Sequence, residues 1–209
     1  TSAISRGVVR DTTSLTDPIT ALSFNAAGDV LDAVRRNASG GGEDRLITIS
    51  VSTGQFAPVG EGTGLIQVGG AATRIVAMDV DASGDLVAFD DSQAAGRRVI
   101  QISRDNPARS AQQTEPDSTI TGLRGYASDA LGRFFSIDDN EAGNRLIASL
   151  NSFVPERLFG GGLGGAFDIV DLAASPAGQL YALRSTGPTP DDPFLLYQVE
   201  RDANTGGVV

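Results

Sequence analysis

The chain contains no cysteine, no histidine and no tryptophan, and each absence removes a class of chemistry. Without cysteine there is no disulfide, thiolate nucleophile, iron–sulfur cluster or cysteine zinc site. Without histidine the chain lacks the commonest general base near neutral pH and the commonest transition-metal ligand. Every basic residue is arginine, so a Schiff-base lysine and the lysine of a phosphate-binding loop are also excluded. The carboxylates, hydroxyls and arginines that are present favour binding over catalysis.

The net charge of −10 limits the partners that the chain can have. A field of this sign repels phosphate backbones and anionic lipids, so the sequence predicts neither nucleic-acid binding nor membrane insertion. The apolar runs are only as long as β-strands, which is too short for a membrane-spanning helix. Most of the acidic residues are aspartate, which is typical of turns and also suits Ca²⁺. We therefore keep Ca²⁺ as the one candidate cofactor.

The length of 209 residues, 40% of them hydrophobic, is sufficient for one domain with a sizeable core. The chain begins at Thr1 rather than Met, and we expect that a leader or a larger upstream part has been removed. Together with the absence of cysteine and the many Gly and Asp residues, this start favours an exported protein. We therefore expect an extracellular or cell-surface location, or otherwise a periplasmic one.

One pattern occurs four times along the chain: an apolar strand, a polar turn that ends in glycine, a second strand, a loop and a third strand. The copies are aligned by their turn glycines, Gly28, Gly84, Gly132 and Gly178, which are 56, 48 and 46 residues apart. A period of roughly 40–50 residues with three or four strands is typical of a β-propeller blade. The sequence therefore predicts an all-β fold, a β-propeller of about four antiparallel blades. A parallel β-helix and a β-sandwich are the alternatives.

We assign the whole chain, residues 1–209, to a single β-propeller domain. Its predicted units are residues 17–70, 71–117, 118–168 and 169–209, with residues 1–16 as a candidate closing strand. The apolar stretch Arg6–Asp11 has no unit of its own, and the last unit is too short for a fourth strand. Either a strand from the opposite terminus closes a four-bladed ring, or the chain is part of a larger propeller. The abrupt end of the last unit favours the second explanation.

The repeated motif joins an apolar strand to a second one through a turn of the form Asn/Asp-x-x-Gly. It is clearest at Phe24–Val30, Asp81–Leu86 and Ala174–Ala182. This pattern resembles the propeller superfamily of NHL, gluconolactonase-like and YVTN-type repeats. The absence of tryptophan excludes the signature residues of WD repeats, quinoprotein dehydrogenases and sialidases. The resemblance implies that ligands bind where the loops between second and third strands meet the loops between blades.

Equivalent positions at the start of each second-to-third-strand loop carry charged residues. These are Arg35 and Arg36 in unit one, Asp90 and Asp91 in unit two, Asp138 and Asp139 in unit three, and Arg184 in unit four. In a ring, two acidic corners would face two basic ones, which suits a polar ligand such as a sugar, a peptide or a partner loop. Asp138, Asp139 and Glu141 are also candidate ligands for Ca²⁺. The alternative is that all of these charges are solvated hairpin tips.

The segment from Asp79 to Gly84 superficially resembles a calcium-binding loop. The position of that loop's bidentate glutamate is occupied by Asp90, and the equivalent residues of the first unit are not acidic. We therefore interpret Asp81-Ala-Ser-Gly84 as a turn, in which aspartate bonds to its own main chain and glycine supplies a positive φ.

Three functions fit these observations. The favoured one is a non-catalytic propeller module for binding or assembly, with a protein partner in a larger extracellular or cell-surface complex. The second is a structural subunit that pairs an edge strand with a neighbour. The third is a divalent-metal-dependent hydrolase of the gluconolactonase type, with carboxylates near Asp138–Glu141 holding the metal. The inner-strand acids of gluconolactonases are not recognisable in the sequence, which argues against the third function.

Overall fold

A computed structural model of the chain describes residues 17–25, 30–37, 43–60, 63–94, 97–113, 123–128, 133–138, 145–150, 169–174, 179–185 and 194–199. In these ranges the structure is almost entirely β, with a single turn of 3-10 helix at Pro107–Arg109. No helix in these ranges is long and apolar enough to cross a membrane. The strands form four antiparallel sheets, called blades 1 to 4, and one short two-stranded ribbon.

Each blade is built from strands that are consecutive in the chain. Blade 1 contains β1 (Ile19–Phe24), β2 (Val30–Arg36), β3 (Asp44–Ser50) and β4 (Phe56–Pro58). The ribbon of β5 (Gln67–Val68) and β6 (Ala71–Ala72) leads to blade 2, which contains β7 (Ile75–Val80), β8 (Leu86–Asp90), β9 (Arg98–Ile102) and β10 (Ala111–Gln112). Blade 3 contains β11 (Leu123–Ser128), β12 (Arg133–Asp138) and β13 (Arg145–Leu150). Blade 4 contains β14 (Ile169–Ala174), β15 (Leu180–Ser185) and β16 (Phe194–Val199).

The first strands of the four blades, β1, β7, β11 and β14, are the inner strands of the fold. Each of them is an edge strand of its own sheet. β7 packs against β1, β11 against β7, and β14 against β11, so the blades are arrayed around one centre. This is the arrangement of a β-propeller, and it confirms the predicted fold class. β14 does not pack against β1 as closely as the other neighbouring inner strands pack on each other, so the described strands of the four blades form an arc.

All four blades share one register between the first and second strands. In each blade a β-bulge interrupts the inner strand near its start. On the N-terminal side of the bulge, the register pairs Ile19 with Arg35, Ile75 with Asp90, Leu123 with Asp138, and Ile169 with Arg184. The four second-strand residues of these pairs are therefore equivalent. Asp90, Asp138 and Arg184 lie six residues after their turn glycines, as predicted, whereas Arg35 lies seven residues after Gly28, because the chain from Phe24 to its partner Leu31 is one residue longer than that from Val80 to Leu86.

Successive side chains of a β-strand point to opposite faces of its sheet. Neighbouring blades pack together through the apolar side chains on these faces. We call the side of a blade toward the preceding blade its front face, and the side toward the following blade its back face. The interface between blades 1 and 2 buries these side chains of the two facing surfaces: Val34 and Leu46 on the back of blade 1, and Met78, Leu86, Ala88, Ile100 and Ile102 on the front of blade 2.

The next two interfaces repeat the same scheme. The back face of blade 2 buries Ala77, Val87, Phe89 and Val99 against Tyr126 on the front of blade 3. The interface between blades 3 and 4 buries Ala127 and Phe135 against Leu172, Leu180, Ala182 and Val199. The described core thus consists of three separate apolar layers, one between each pair of adjacent blades, and a fourth cluster of Ala33, Ile47 and Ile49 on the front of blade 1.

The turn between β7 and β8 has the predicted chemistry. Oδ1 of Asp81 accepts hydrogen bonds from the main-chain N–H groups of Ser83 (2.9 Å) and Asp85 (2.8 Å). Gly84 has a φ of +86°, a conformation that L side chains rarely adopt. The carboxylate of Asp81 is therefore occupied by its own turn, which confirms the turn interpretation of this segment.

Gly125 lies where the main chains of blades 3 and 4 approach each other closely. It has a φ of +59°. A Cβ at this position would lie 2.8 Å from the main-chain nitrogen of Leu172 and 3.1 Å from Cα of Asp171, both in β14. Only glycine therefore allows β14 to pack this closely on β11.

We predict that Gly125→Ala destabilises the protein more than Gly84→Ala does. Both variants place alanine at a positive φ, which costs about 1–2 kcal/mol. At Gly84 the new Cβ meets no atom within 4 Å, whereas at Gly125 it clashes with main-chain atoms of β14. The free energy of unfolding in urea should fall by about 1–2 kcal/mol for Gly84→Ala and by about 3 kcal/mol or more for Gly125→Ala. Equal losses would contradict the close packing of β11 on β14.

Candidate functional site

The charged residues predicted at the propeller mouth have partners within the chain wherever their side chains are described. Arg35 donates to Oδ2 of Asp17 from Nη2 (2.7 Å) and from Nε (3.1 Å). Its guanidinium also lies 5.7 Å from the ring centre of Phe56. Arg35 therefore holds the residues just before β1 against β2, and its guanidinium lies close to β4.

Arg36 and Asp44 join blade 1 to blade 2. Nε of Arg36 donates to Oδ1 of Asp44 (2.8 Å), and Nη2 donates to Oδ2 (3.1 Å) and to the carbonyl oxygen of Ile75 (2.8 Å). The main-chain N–H of Ile75 donates to Asp44 in return. Burial raises the pKa of Asp44, while its hydrogen bond with Arg36 opposes the rise. This pair holds the first residue of β7 in place.

Asp90 and Asp91 each form an ion pair with an arginine at or just before the start of β9. Asp90 is buried and accepts hydrogen bonds from Nε of Arg98 (2.8 Å) and from the main-chain N–H of Arg74 (2.8 Å). Asp91 forms an ion pair of 3.1 Å with Arg97. A ligand at this corner would have to displace contacts that hold the strand ends.

The remaining predicted site residues are only partly described. The main chains of Asp138 and Arg184 belong to β12 and β15. Their side chains, and both Asp139 and Glu141, lie outside the described residues. The Ca²⁺ site predicted at Asp138, Asp139 and Glu141 therefore stays a prediction. In the part of the chain that the structure describes, no three acidic side chains are grouped so that they could hold a metal ion.

A cavity of about 540 Å³ lies between the inner strands, and we call it the central channel. β1, β7, β11 and β14 all contribute to its wall. The polar side chains among its described lining residues are Thr20, Ser23, Asp79, Asp81, Tyr126, Ser128 and Asp171. Three of these are carboxylates, and none of the described lining residues is an arginine. The described wall of the central channel is therefore acidic.

Asp79 joins the inner strands of three blades. Its Oδ1 accepts hydrogen bonds from Oγ of Ser23 in β1 (2.7 Å) and from the main-chain N–H of Val80 in β7 (2.8 Å). Its Oδ2 accepts one from the main-chain N–H of Ser128 in β11 (2.7 Å). Oγ of Ser128 then donates to the carbonyl oxygen of Val80 (2.6 Å). One carboxylate thereby supplies acceptors to donors on three adjacent blades.

Asp171 of β14 is the second inner-strand acid of the channel wall. Its Oδ1 accepts a hydrogen bond from the main-chain N–H of Leu172 (2.9 Å). Burial raises the pKa of Asp171, and the negative charge of Asp79 raises it further. Burial also raises the pKa of Asp79, although its hydrogen bonds from Ser23, Ser128 and Val80 oppose the rise. The negative charge of Asp79 therefore acts on Asp171 across the channel.

Tyr126 lies between the central channel and the apolar layer of blades 2 and 3. Its ring packs edge-on against Phe89, with the ring centres 5.0 Å apart. Burial, followed by the charges of Asp79 and Asp81, raises the pKa of its hydroxyl well above the ordinary value of 10. The phenol is therefore protonated at neutral pH, and its ring serves to pack the two blades together.

Asp79 and Asp171 are inner-strand acids of the channel wall that the predicted set of site residues does not contain. Asp79 and Asp171 are each the only charged residue of an otherwise apolar strand, with the sequences IVAMDV and IVDLAA. A lone carboxylate in a strand that is expected to be buried is costly unless it has partners or a function. That cost was the signal in the sequence that could have identified both residues.

Solved structures resemble this chain in fold at low sequence identity. A GH43 glycoside hydrolase matches with a TM-score of 0.57 and 14% identity, over 90% of this chain and 39% of the hydrolase. TolB from Acinetobacter baumannii matches with a TM-score of 0.52 and 14% identity, over 91% of this chain and 42% of TolB. A candidate gluconolactonase matches with a TM-score of 0.54 and 16% identity, over 84% of this chain and 61% of that protein.

These similarities support the β-propeller fold and, at such identities, the fold alone. The chain spans less than two thirds of the length of each of these proteins. No protein-family model and no curated protein matches the chain. Its class is therefore that of a β-propeller module, and its particular role has to be argued from the central channel.

We predict that the stability of the protein relative to an Asp79→Asn variant falls as the pH rises. A carboxyl with a raised pKa binds a proton in the folded state at pH values where the unfolded chain has lost it. The difference in free energy of unfolding, wild type minus variant, should therefore fall from about pH 4 up to the raised pKa, by about 1.4 kcal/mol per unit at most.

Urea denaturation of both proteins across this pH range measures that difference. Asp81→Asn is the matched control, because it removes a carboxylate two residues away that serves an exposed turn. If Asp81→Asn and Asp79→Asn gave the same profile, loss of one negative charge rather than the burial of Asp79 would be the cause.

Proposed function

We propose that this chain is a non-catalytic propeller module that binds a positively charged group in its central channel. The observation that carries the proposal is the channel wall, where Asp79, Asp81 and Asp171 stand without an arginine among the described lining residues. A cleft lined by one sign of charge and walled by protein concentrates ions of the opposite sign. The bound group is an alkylammonium, or the lysine or arginine side chain of a protein partner.

Asp171 is the residue that receives the cation in this proposal. The two oxygens of Asp79 already accept three hydrogen bonds from the chain, whereas Asp171 accepts one described bond, from its own neighbour Leu172. An ionised carboxylate has about four lone-pair sites, so Asp171 keeps acceptors for a ligand. A cation near both acids also offsets the repulsion that raises the pKa of Asp171.

Binding fits these residues better than hydrolysis does. Ca²⁺ takes six to eight oxygen ligands, more than the two inner-strand carboxylates supply. An ammonium group needs only two or three acceptors, which matches the lone pairs of Asp171 and the hydroxyls of the channel wall. The protonated phenol of Tyr126 is unsuited to the role of a general base at neutral pH.

We predict that n-butylammonium, which reproduces a lysine side chain, binds in the central channel and that Asp171→Asn weakens it tenfold or more. A hydrogen bond to a charged group is worth about 1.5–3 kcal/mol, and about 1.4 kcal/mol is a factor of ten in affinity. NMR titration of the main-chain amides of β7 and β14 measures the binding. The affinity should increase as the pH rises through the raised pKa of Asp171, because only the ionised acid attracts the cation.

Asp85→Asn is the control variant for this experiment. It removes one negative charge from an exposed residue outside the channel wall and should leave the affinity unchanged. Butan-1-ol controls for the apolar part of the probe, and equal binding of the alcohol and the ammonium would disprove the electrostatic proposal. Saturable binding of Ca²⁺ alone would instead favour the metal site predicted at Asp138, Asp139 and Glu141.

We propose for this module the extracellular or cell-surface setting, or otherwise the periplasm, that the composition favours. In a larger complex, a basic side chain of a protein partner would occupy the channel. A polar ligand such as a sugar is the alternative occupant. The strand-pairing structural subunit and the gluconolactonase-like hydrolase are the alternative functions. The outer strands β4, β10, β13 and β16, which are the other edges of the described sheets, favour the first of these.

A further inference from the structure

The apolar layers between blades are made by equivalent residues, because all four blades share one strand register. On the front face, the register aligns Leu22 of blade 1 with Met78 of blade 2, Tyr126 of blade 3 and Leu172 of blade 4. On the back face, it aligns Leu46 of blade 1 with Val99 of blade 2 and Leu196 of blade 4. Each residue of these two sets therefore occupies the same place in a repeated interface.

Blade 1 leaves the inner half of its front face uncovered. Met78, Tyr126 and Leu172 are at most 5% exposed, because the preceding blade covers each of them. Their equivalent Leu22 is 53% exposed, and so is Phe24 on the same face. The outer half of this face is already buried, in a cluster formed by Ala33, Ile47 and Ile49. The uncovered apolar surface is thus confined to the inner strand of blade 1.

Blade 4 has an uncovered apolar surface on its back face, the face that packs on a front face in the other interfaces. Leu46 and Val99 are at most 4% exposed, because the following blade covers them. Their equivalent Leu196 is 70% exposed. The neighbouring position on this face is Leu183, which the register aligns with the buried Phe89. The arc therefore ends in one unfilled front face and one unfilled back face.

We infer that a second copy of this chain docks on these two faces and closes a ring of eight blades. The front face of blade 1 in one copy would pack on the back face of blade 4 in the other, and the same contact would recur at the opposite seam. Front-to-back contacts of this kind give a closed ring when the rotation closes, and eight blades lie within the usual range for propellers. The contact repeats the inner-strand part of an interface that the chain already forms three times, because the outer part of the front face of blade 1 is already buried within the chain. It does not depend on the proposed function of the channel.

One contact across the seam follows directly from the existing interfaces. Phe89 on the back of blade 2 packs against Tyr126 on the front of blade 3, with ring centres 5.0 Å apart. The register aligns Phe89 with Leu183 and Tyr126 with Leu22. Leu183 of one copy should therefore contact Leu22 of the other.

Sedimentation equilibrium of the whole chain tests the inference, with Leu196→Asp and Leu195→Asp as a matched pair. Both leucines are exposed, but Leu195 projects to the opposite, front side of β16. In salt of about 0.15 M, which screens the charge of the two chains, the wild type and Leu195→Asp should have twice the 21.5 kDa mass of one chain. Leu196→Asp should be monomeric with an unchanged circular dichroism spectrum. A monomeric wild type, or variants that behave alike, would overturn the inference.

A cross-linking experiment distinguishes a second copy from closure within one chain. The chain has no cysteine, so Leu22→Cys/Leu183→Cys carries the only two thiols. A short bismaleimide should join two chains into a covalent dimer that denaturing electrophoresis resolves. A cross-linked species with the mass of one chain would show that the ring closes on itself, and the absence of any cross-link would show that the two faces do not meet. Either of these results would overturn the inference.

Discussion

The packing of the inner strands at the centre of this molecule depends on the hydrogen bonds that the carboxylate of Asp79 accepts. Inner strands are edge strands, so one side of each has no neighbouring strand in its own sheet. Asp79 accepts hydrogen bonds from Ser23, Val80 and Ser128, and it thereby links β1, β7 and β11 at the point where they converge. A buried charge is tolerated only when hydrogen bonds compensate for the water it has lost. The same three contacts that hold the blades together are therefore what permits an acid at the channel wall.

The polar centre and the apolar layers have separate tasks. The layers hold neighbouring blades face to face, and their inner ends, at Ala77, Met78 and Leu172, reach the channel wall that carries the acids. Tyr126 lies at the boundary, with its ring against Phe89 and its hydroxyl near the charges of Asp79 and Asp81. Leu22 and Phe24 belong both to the channel wall and to the uncovered face of blade 1, so a ligand in the channel and a partner at the arc ends would meet at the inner strand of that blade.

The fold and the equivalence of the blades could be predicted from the sequence because both depend on local rules. A glycine-ended turn and an alternating strand are readable within a few residues, and the turn at Asp81–Gly84 follows them. Arg35 and Asp90 were also predicted to be equivalent, and the register confirms it, but local rules did not reveal the partners of these residues. Pairing with Asp17 and Arg98 depends on how the strands meet in three dimensions.

The central channel could not be predicted in the same way because its residues are distant in sequence. Ser23 is 56 residues from Asp79, and Ser128 is 49 residues from it. The contact therefore exists only once three blades have converged. Asp171 lies still further along the chain, and its significance depends on its proximity to Asp79 rather than on a motif.

The order of strands within each sheet has a consequence for how the protein is made. No described strand of one blade is inserted into the sheet of another, so each sheet can form from a short continuous stretch of chain. Contacts that are local in sequence require little loop closure and form quickly. During synthesis on the ribosome, blade 1 can fold before blade 4 has been translated, and each new blade finds the back of its predecessor already in place. The direction of translation is thus also the direction in which the blades stack.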